Sequence, residues 1–297
     1  MINVVNFSGG RTSAYMVSLF EQKRKSEGIE VVYLYCDTGA EHPKTYEFIR
    51  NVVDHFKIDL VCIRAKVSKT KGVGTTYEVV SLGDCKQDLK PFLDVCEVYS
   101  TPSYTFGHCT REMKSNPAKK YCQDKYGKEY LNWLGIRIDE PRRLNIVDNQ
   151  VDLFATKKRI DRSRVNVRYL AGISDFTKED VLGFWRNMPF DLEIEEHLGN
   201  CVFCVKKGVN KVALAARDEP EMASAFIDMI ASDKVASRPG SPLGKEVMYR
   251  GRSTLCGIIE QYADSSRDEI ARTIRGMKQN NAGACSESCE AMFDLFD

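Results

Sequence analysis

The chain has 297 residues, of which 43% are hydrophobic and 29% are charged. This balance is typical of a globular protein and excludes disordered, collagen-like and coiled-coil chains. Forty-three basic residues nearly cancel 42 acidic residues, so net charge alone indicates neither a nucleic-acid nor a membrane partner. Because the sequence shows no signal peptide and no apolar run of membrane-spanning length, we expect a cytoplasmic protein without a membrane partner.

The first third of the chain alternates between short apolar runs and amphipathic segments. Residues 2–7 predict a strand, and residues 12–24 carry apolar side chains at helical spacing. A second strand over residues 30–36, a helix after Pro43 and a third strand over residues 59–64 repeat the unit. This order predicts an α/β fold with a doubly wound, Rossmann-like parallel sheet.

The middle of the chain is less regular. Residues 66–108 are punctuated by glycine and proline and predict loops with short helices. Residues 110–134 predict one helix that ends at Gly135. Residues 111–168 hold more basic than acidic side chains, which suits a polyanionic ligand or a solvated surface equally well.

The C-terminal third predicts mainly helices. A Thr-x-x-Asp pattern starts an amphipathic helix over residues 177–187, and further helical segments follow near residues 210–232 and 254–280. We therefore expect a nucleotide-binding α/β domain over residues 1–190 and a mostly helical region with a cysteine cluster over residues 191–297.

The segment between the first strand and the first helix reads SGGRTS. Its two glycines allow a ligand to approach the backbone, and the helix N-terminus directs amide donors and the positive end of the helix dipole toward an anion. Phosphate is the expected occupant, although an ordinary turn with Thr12 as the helix N-cap is an alternative. The candidate binding residues are Ser8, Gly9, Gly10, Arg11, Thr12 and Ser13.

This loop resembles the pyrophosphate-binding loop of the adenine nucleotide α-hydrolase-like superfamily, in its bacterial and phage branch of phosphoadenosine phosphosulfate (PAPS) reductase-like proteins. The segment DTGAEHP, residues 37–43, is similar to the D-T-G-x-E-x-P motif of this family. The resemblance implies that Asp37, Thr38, Gly39 and Glu41 border the nucleotide, with Asp37 and Glu41 as metal or ribose ligands. The alternative is that these two carboxylates cap the next helix.

Two further segments carry candidate catalytic cations. GIRIDEPRR, residues 135–143, is similar to the family's G-[IV]-R-x-[DE]-E-x-x-R pattern, and CTREMKSNP, residues 109–117, is similar to C-T-R-x-x-K-x-x-P. Guanidinium groups bind phosphate or sulfate oxygens bidentately. The alternative is that these are surface charges. The candidate catalytic residues are Arg111, Lys114, Arg137 and Arg143, with Glu140 and Arg142 as binding residues.

Eleven cysteines are many for a chain kept in a reducing compartment. GNCVFC, residues 199–204, resembles the family's G-N-C-x-x-C element, and a C-x-x-C pair places two thiolates for one ion or cluster. We predict a [4Fe–4S] cluster or, alternatively, a Zn²⁺ site; uncoordinated thiols and a redox disulfide also stay open. The candidate ligands are Cys109, Cys201, Cys204, Cys285 and Cys289.

The resemblance implies an enzyme, and two reactions fit it. The first is cleavage of ATP at the α–β bond with Mg²⁺, which adenylates an acceptor such as a nucleic acid base, with a sulfur donor as a further partner. The second is PAPS or adenylylsulfate reduction or sulfotransfer, although the tail CSESCEAMFDLFD replaces the E-C-G-x-H segment of true reductases. A non-catalytic nucleotide- or nucleic-acid-binding module is a third alternative, and a homodimer stays open.

Overall fold

The computed structural model describes residues 1–70, 73–141, 143–144, 146–147, 150–151, 166–238 and 242–280. Eight strands are present in this part of the chain: β1 (Ile2–Asn6), β2 (Val31–Cys36), β3 (Leu60–Val67), β4 (Thr75–Val80), β5 (Tyr130–Leu134), β6 (Ile146–Val147), β7 (Gln150–Val151) and β8 (Val167–Tyr169). β6 and β7 form a separate antiparallel pair, and the other six strands form one sheet.

The helices flank and extend this sheet. In the described residues they are α1 (Arg11–Glu27), α2 (Pro43–Phe56), α3 (Lys90–Tyr99), α4 (His108–Thr110), α5 (Asn116–Tyr126), α6 (Lys178–Arg186), α7 (Val209–Asp218), α8 (Pro220–Ala231), α9 (Leu255–Gln261) and α10 (Arg267–Asn280). A π-helical turn, Arg111–Ser115, joins α4 to α5. Within these ranges, no helix combines the length and apolar character needed to cross a bilayer.

The strand order of the main sheet is β4-β3-β2-β1-β5-β8. All neighbouring pairs are parallel except β3 and β4, which are antiparallel. The chain moves outward from β1 through β2 and β3, then returns to place β5 on the other side of β1. This confirms the predicted doubly wound α/β fold, and it makes the carboxyl ends of β1 and β5 the switch point where such sheets bind ligands.

Apolar side chains bury both faces of the sheet. One cluster packs α1, α2 and α6 against the sheet, with Phe48 and Trp185 fully buried in it. The opposite cluster joins Val4 and Leu34 of the sheet to α5. A third cluster unites α7 and α8 with Phe92 of α3, so the C-terminal helices share a core with the first part of the chain. The domain boundary at residue 190 stays a prediction.

Four sequence-based expectations of secondary structure can be compared with the structure, and three need correction. Residues 66–108 contain the edge strand β4 and the helix α3 as well as loops. The helix predicted over residues 110–134 ends at Tyr126, because Gly127 adopts a positive φ of 60° and closes it, and β5 follows. Pro220 starts a new helix within residues 210–232, and residues 254–280 form two helices. The predicted capped helix over residues 177–187 is confirmed as α6, with Thr177 in a capping box.

Candidate functional site

The loop after β1 is closed by its own side chains. Gly9 has a φ of +82°, and a Cβ atom there would lie 2.8 Å from Thr45 Cγ2 and 3.0 Å from Ile49 Cδ1 of α2, so glycine is required. The Ser13 hydroxyl accepts a hydrogen bond from the Ser8 amide at 3.1 Å and lies 3.0 Å from the Ser8 hydroxyl. These contacts hold the turn that the sequence predicts to bind phosphate.

The N-terminus of α1 opens onto a cavity of about 330 Å³. The N-cap residue is Gly10, which offers no side-chain cap, so the alternative in which Thr12 caps the helix is wrong. The first turn also carries no acidic side chain. The amide donors and positive dipole of this 17-residue helix are therefore available to an anion in the cavity. Ser8, Gly9, Gly10, Arg11 and Thr12 form this side of the lining.

Arg137 reaches the loop from the other side of the switch point. It follows β5, and its guanidinium donates a 3.0 Å hydrogen bond to Thr12 Oγ1. Asp139 accepts from Arg137 Nε at 2.8 Å, and Glu140 accepts from the Arg137 amide at 3.0 Å. The other Glu140 oxygen accepts from Arg143 at 2.7 Å. Glu140 therefore orients both arginines, and Arg137 and Glu140 line the cavity.

Arg11 fastens the loop to the segment after α6. Its guanidinium forms an ion pair of 2.6 Å with Asp191 and donates to the Leu192 carbonyl. Its own carbonyl accepts from Trp185 Nε1 at 2.9 Å. The side chain lines the cavity, but because Asp191 neutralises it, Arg11 contributes less positive charge than the sequence motif implies.

Three lysines that the sequence interpretation does not assign to the site also line the cavity. Lys178 at the start of α6 and Lys211 in α7 both bind Glu196, at 2.9 and 3.4 Å. Lys207 is buried and donates to the carbonyls of His197 and Val202, at 2.6 and 2.9 Å. Burial lowers the pKa of Lys207 to about 8. Lys207 lies three residues after Cys204 of the C-x-x-C element, and this position is the only sequence signal that it belongs to the site.

Asp37 is held inside the protein. One of its oxygens accepts from the Gly39 amide at 3.0 Å and from the Tyr46 hydroxyl at 3.1 Å, while the other accepts from Arg64 at 2.8 Å. The side chain is fully buried and is absent from the cavity lining formed by the described residues. Asp37 therefore positions the loop that carries Gly39, whose φ is +67°. The structure does not bring Asp37 or Gly39 to the cavity.

Glu41 lies between the cavity at the α1 N-terminus and the cysteines. It lines the cavity, and its backbone forms an antiparallel bridge with Cys201. Its Oε1 lies 3.6 Å from Cys201 Sγ and 3.7 Å from Lys114 Nζ. The helix that follows is capped by His42, whose ring accepts from the Lys44 amide, so the alternative in which Asp37 or Glu41 caps α2 is wrong.

Three of the predicted metal ligands meet at a second, smaller cavity of about 20 Å³, which we call the cysteine cavity. Its polar lining consists of Thr38, Cys109, Thr110, Lys114, Cys201 and Cys204. Across the part of the chain that the structure describes, no group of three or more His, Cys, Asp or Glu side chains has the arrangement of a metal site. Cys285 and Cys289 lie outside the described residues.

The remaining candidate residues are placed elsewhere or not described. Arg111 pairs with the adjacent Glu112 at 2.6 Å and is absent from the described lining of both cavities. Arg143 contributes indirectly, through Glu140. Arg142 lies outside the described residues.

Comparisons with known proteins agree with this architecture. Residues 2–188 match the phosphoadenosine phosphosulfate reductase domain. The chain is 42% identical over 295 residues to "Uncharacterized nin region protein ORF290" of Escherichia phage lambda, which covers 98% of this chain and 95% of that protein. It is also 26% identical over 160 residues to "Uncharacterized protein MJ0066" of Methanocaldococcus jannaschii, covering 54% of this chain and 26% of the relative. The fold, the loop after β1 and these matches together show that the chain belongs to the phosphoadenosine phosphosulfate reductase domain family.

Proposed function

We propose that the cavity at the switch point binds ATP and that the protein cleaves the bond between its α and β phosphates. The supporting observation is the meeting of the α1 N-terminus with Arg137 at Thr12, joined by a 3.0 Å hydrogen bond. Amide donors and a guanidinium then face one phosphate position from two different loops. Such preorganised donors stabilise charge as it develops in the transition state.

The reaction is a group transfer to an acceptor nucleophile. The nucleophile attacks the α phosphorus, the bond from this phosphorus to the bridging oxygen breaks, and pyrophosphate leaves with the electron pair. The adenylyl group remains on the acceptor. In this scheme the loop amides and Arg137 hold the pyrophosphate, while Lys178, Lys207 and Lys211 of the lining supply further positive charge.

The cavity also offers a place for the base and for a cation. Val181, Leu182, Leu192 and Ile194 form an apolar part of the lining on which a purine would pack. Mg²⁺ binds through one or two carboxylates together with substrate phosphates, and the carboxylate of Glu41 in the lining has suitable chemistry. When bound, the ion would neutralise negative charge on the phosphates.

The test of the nucleotide site compares Arg137→Ala with Arg186→Ala, which removes an exposed arginine at the end of α6. Hydrogen bonds to charged groups contribute about 1.5–3 kcal/mol, so ATP affinity measured by calorimetry should fall at least about tenfold in Arg137→Ala. Arg186→Ala should bind ATP as the wild type does. Equal affinities in both variants would contradict the site.

Release of pyrophosphate and formation of an adenylylated product test the reaction itself. The protein is incubated with ATP, Mg²⁺ and total nucleic acid, and pyrophosphate is measured with and without the acceptor. Tight ATP binding without pyrophosphate release would instead support the non-catalytic nucleotide-binding module.

For the cysteines, we propose that Cys109, Cys201 and Cys204 ligate a [4Fe–4S] cluster or Zn²⁺ together with Cys285 or Cys289. The support is that three thiols line one cavity, and thiolates are the preferred ligands of both groups. Anaerobic purification with metal analysis and a visible spectrum tests this. Cys201→Ser should lose the metal, whereas Cys256→Ser, at an exposed cysteine, should retain it. A wild-type protein that holds no metal would contradict the proposal.

A second candidate reaction is the reduction of PAPS, and its support is that Cys201 lies 3.6 Å from Glu41, a residue of the cavity lining. The Cys201 thiolate would attack the sulfate sulfur, and the sulfur–oxygen bond to the nucleotide would break to release adenosine 3′,5′-bisphosphate. The Cys204 thiol would then attack Cys201 Sγ, forming a disulfide and releasing sulfite, and an external dithiol would restore both thiols. Sulfite release from PAPS, without pyrophosphate release from ATP, would select this reaction.

A further inference from the structure

A third cavity, of about 580 Å³, lies between a loop of the middle of the chain and a C-terminal loop, and we call it the aromatic groove. One wall is the segment that follows α3, residues 99–106, and the other is the loop before α9, residues 243–252. The lining includes four aromatic side chains and three arginines, and the described residues contribute no carboxylate to it. The family match covers the first wall and ends at residue 188, before the second wall, and the described lining of the proposed ATP site shares no residue with the groove.

Tyr104 anchors the groove to the cysteine-bearing loop. The Arg250 guanidinium lies 4.7 Å from the centre of the Tyr104 ring and donates to its hydroxyl at 2.8 Å. Lys206 Nζ lies 5.3 Å from the same ring centre and donates to the Tyr104 carbonyl at 2.9 Å. A tyrosine with two cations at its ring keeps positive charge beside an aromatic surface.

Phe106, Arg250 and Arg252 are exposed side chains of the groove. The phenylalanine side chain is 60% exposed, although a ring of this size is usually buried. Arg252 has a φ of +61° and follows Gly251, whose φ is +73°. A non-glycine residue in the left-handed region is strained, and such strain is concentrated at functional sites. Neither Arg250 nor Arg252 has an ion pair with a carboxylate of the described residues.

The groove adjoins the cysteine cavity. The loop between α3 and α4 has Pro102 on the cysteine cavity and Ser103 to Phe106 on the groove, and Cys109 of α4 follows on the cysteine cavity. From the other wall, the Tyr249 hydroxyl donates to the Phe203 carbonyl, inside the C-x-x-C element, at 3.0 Å. A ligand in the groove would therefore contact the loops that position Cys109 and Cys201.

We propose that the aromatic groove binds single-stranded nucleic acid, with a base stacked on Phe106 and backbone phosphates at Arg250 and Arg252. Exposed aromatic rings beside guanidiniums without a carboxylate partner are the groups that proteins use to hold single strands. A duplex keeps its base faces stacked and offers nothing to the ring of Phe106. That the bound nucleic acid is the acceptor of the adenylyl group rests on the proposed function. The binding of nucleic acid to the groove does not depend on that function.

The test measures binding of fluorescein-labelled oligo(dT) and oligo(U) by anisotropy, with the full chain purified anaerobically. We expect Phe106→Ala to weaken binding about tenfold, because stacking on one aromatic side chain is worth about that factor. Arg252→Ala should weaken binding and reduce the slope of log affinity against log salt by about one, because one phosphate contact is lost.

Two variants at exposed positions outside the groove serve as matched controls. Ile259→Ala removes an exposed apolar side chain of α9, and Arg272→Ala removes an exposed arginine of α10; both should bind as the wild type does. Wild-type protein that binds neither oligonucleotide would overturn the proposal, as would groove variants that bind as tightly as the controls. ATP affinity is measured in parallel. Oligonucleotide binding that depends on the groove in a protein that does not bind ATP would refute the proposed function and leave this inference standing.

Discussion

The backbone conformation of Gly9 allows a quantitative test of the loop after β1. Its φ is +82°, and a Cβ atom there would lie 2.8 Å from Thr45 Cγ2 and 3.0 Å from Ile49 Cδ1. Gly28, at the other end of α1, also has a positive φ, of 67°, but no described atom lies within 4 Å of its Cβ position. Gly9→Ala therefore adds a steric clash to backbone strain, whereas Gly28→Ala introduces the strain alone.

The two costs can be estimated separately. A left-handed conformation costs an alanine about 1–2 kcal/mol, which is the loss of unfolding free energy expected for Gly28→Ala. Overpacking of a filled core adds about 1–3 kcal/mol, so Gly9→Ala should lose roughly 2–5 kcal/mol. Relief of the clash must move the loop or the side chains of Thr45 and Ile49, and because Gly9 and Thr45 both line the cavity, ATP affinity should also fall in Gly9→Ala and stay unchanged in Gly28→Ala.

Urea unfolding followed by circular dichroism measures the stabilities, and calorimetry measures ATP binding. Equal losses of stability in the two variants would show that Thr45 and Ile49 do not enclose Gly9 as the structure indicates. A destabilised Gly9→Ala variant that binds ATP as tightly as the wild type would refute the reasoning that places phosphate on this loop.

Three further predictions concern the surroundings of the site. Arg64→Ala leaves the buried carboxylate of Asp37 without its cation, so the free energy of unfolding in urea should fall by about 3–5 kcal/mol. The control Lys90→Ala breaks an exposed ion pair and should lower it by less than about 1 kcal/mol. Thr177→Ala removes the side-chain cap of α6 and should cost about 1 kcal/mol, seen as a lower urea midpoint. Burial lowers the pKa of Lys207 from 10.5 to about 8, so between these pH values the unfolded chain binds more protons and the stability contributed by this lysine rises with pH. The difference in unfolding free energy between wild type and Lys207→Met should therefore shift in favour of the wild type from pH 8 to 10.5, and a constant difference would contradict the lowered pKa.

The sheet could be predicted where a strand is a continuous apolar run, and it could not be predicted where polar residues interrupt the run. β1, β2 and the first half of β3 are mainly apolar, each has buried residues at its centre, and amphipathic helices separate them, so the sequence pattern identifies them. β4 is an edge strand without a buried residue, and its sequence lacks a core-facing pattern. β5 carries Asn132, whose side chain accepts a 2.6 Å hydrogen bond from Asn6 of β1. That partner lies 126 residues away, beyond the reach of any local pattern.

The residues of the candidate site could likewise be predicted only in part. The glycine loop and Arg137 lie in contiguous motifs, and their adjacency follows from the parallel pairing of β1 with β5. Lys178 and Lys211 are single lysines on separate helices, and only tertiary structure shows that both bind Glu196 beside the cavity. The role of Asp37 depends on Arg64, which approaches from β3. The motif of residues 37–43 therefore pointed to Asp37, but it could not show that the oxygens of Asp37 bind Arg64 and Tyr46 inside the protein.

The loop that carries Cys201 and Cys204 connects the surroundings of the three cavities. Glu41 lines the cavity at the switch point and contacts Cys201. Lys207, which follows Cys204 by three residues, lines the same cavity. Lys206, the neighbouring residue, binds the Tyr104 carbonyl in the aromatic groove. Residues 204–207 of one short loop therefore line two of the cavities and contact Tyr104, which lines the third. Because Lys207 is held by the His197 and Val202 carbonyls and Lys206 by the Tyr104 carbonyl, we expect a shift of this loop on nucleotide binding to displace Tyr104. An acceptor strand in the groove and ATP at the switch point are thus expected to influence each other's affinity, with equal coupling in both directions.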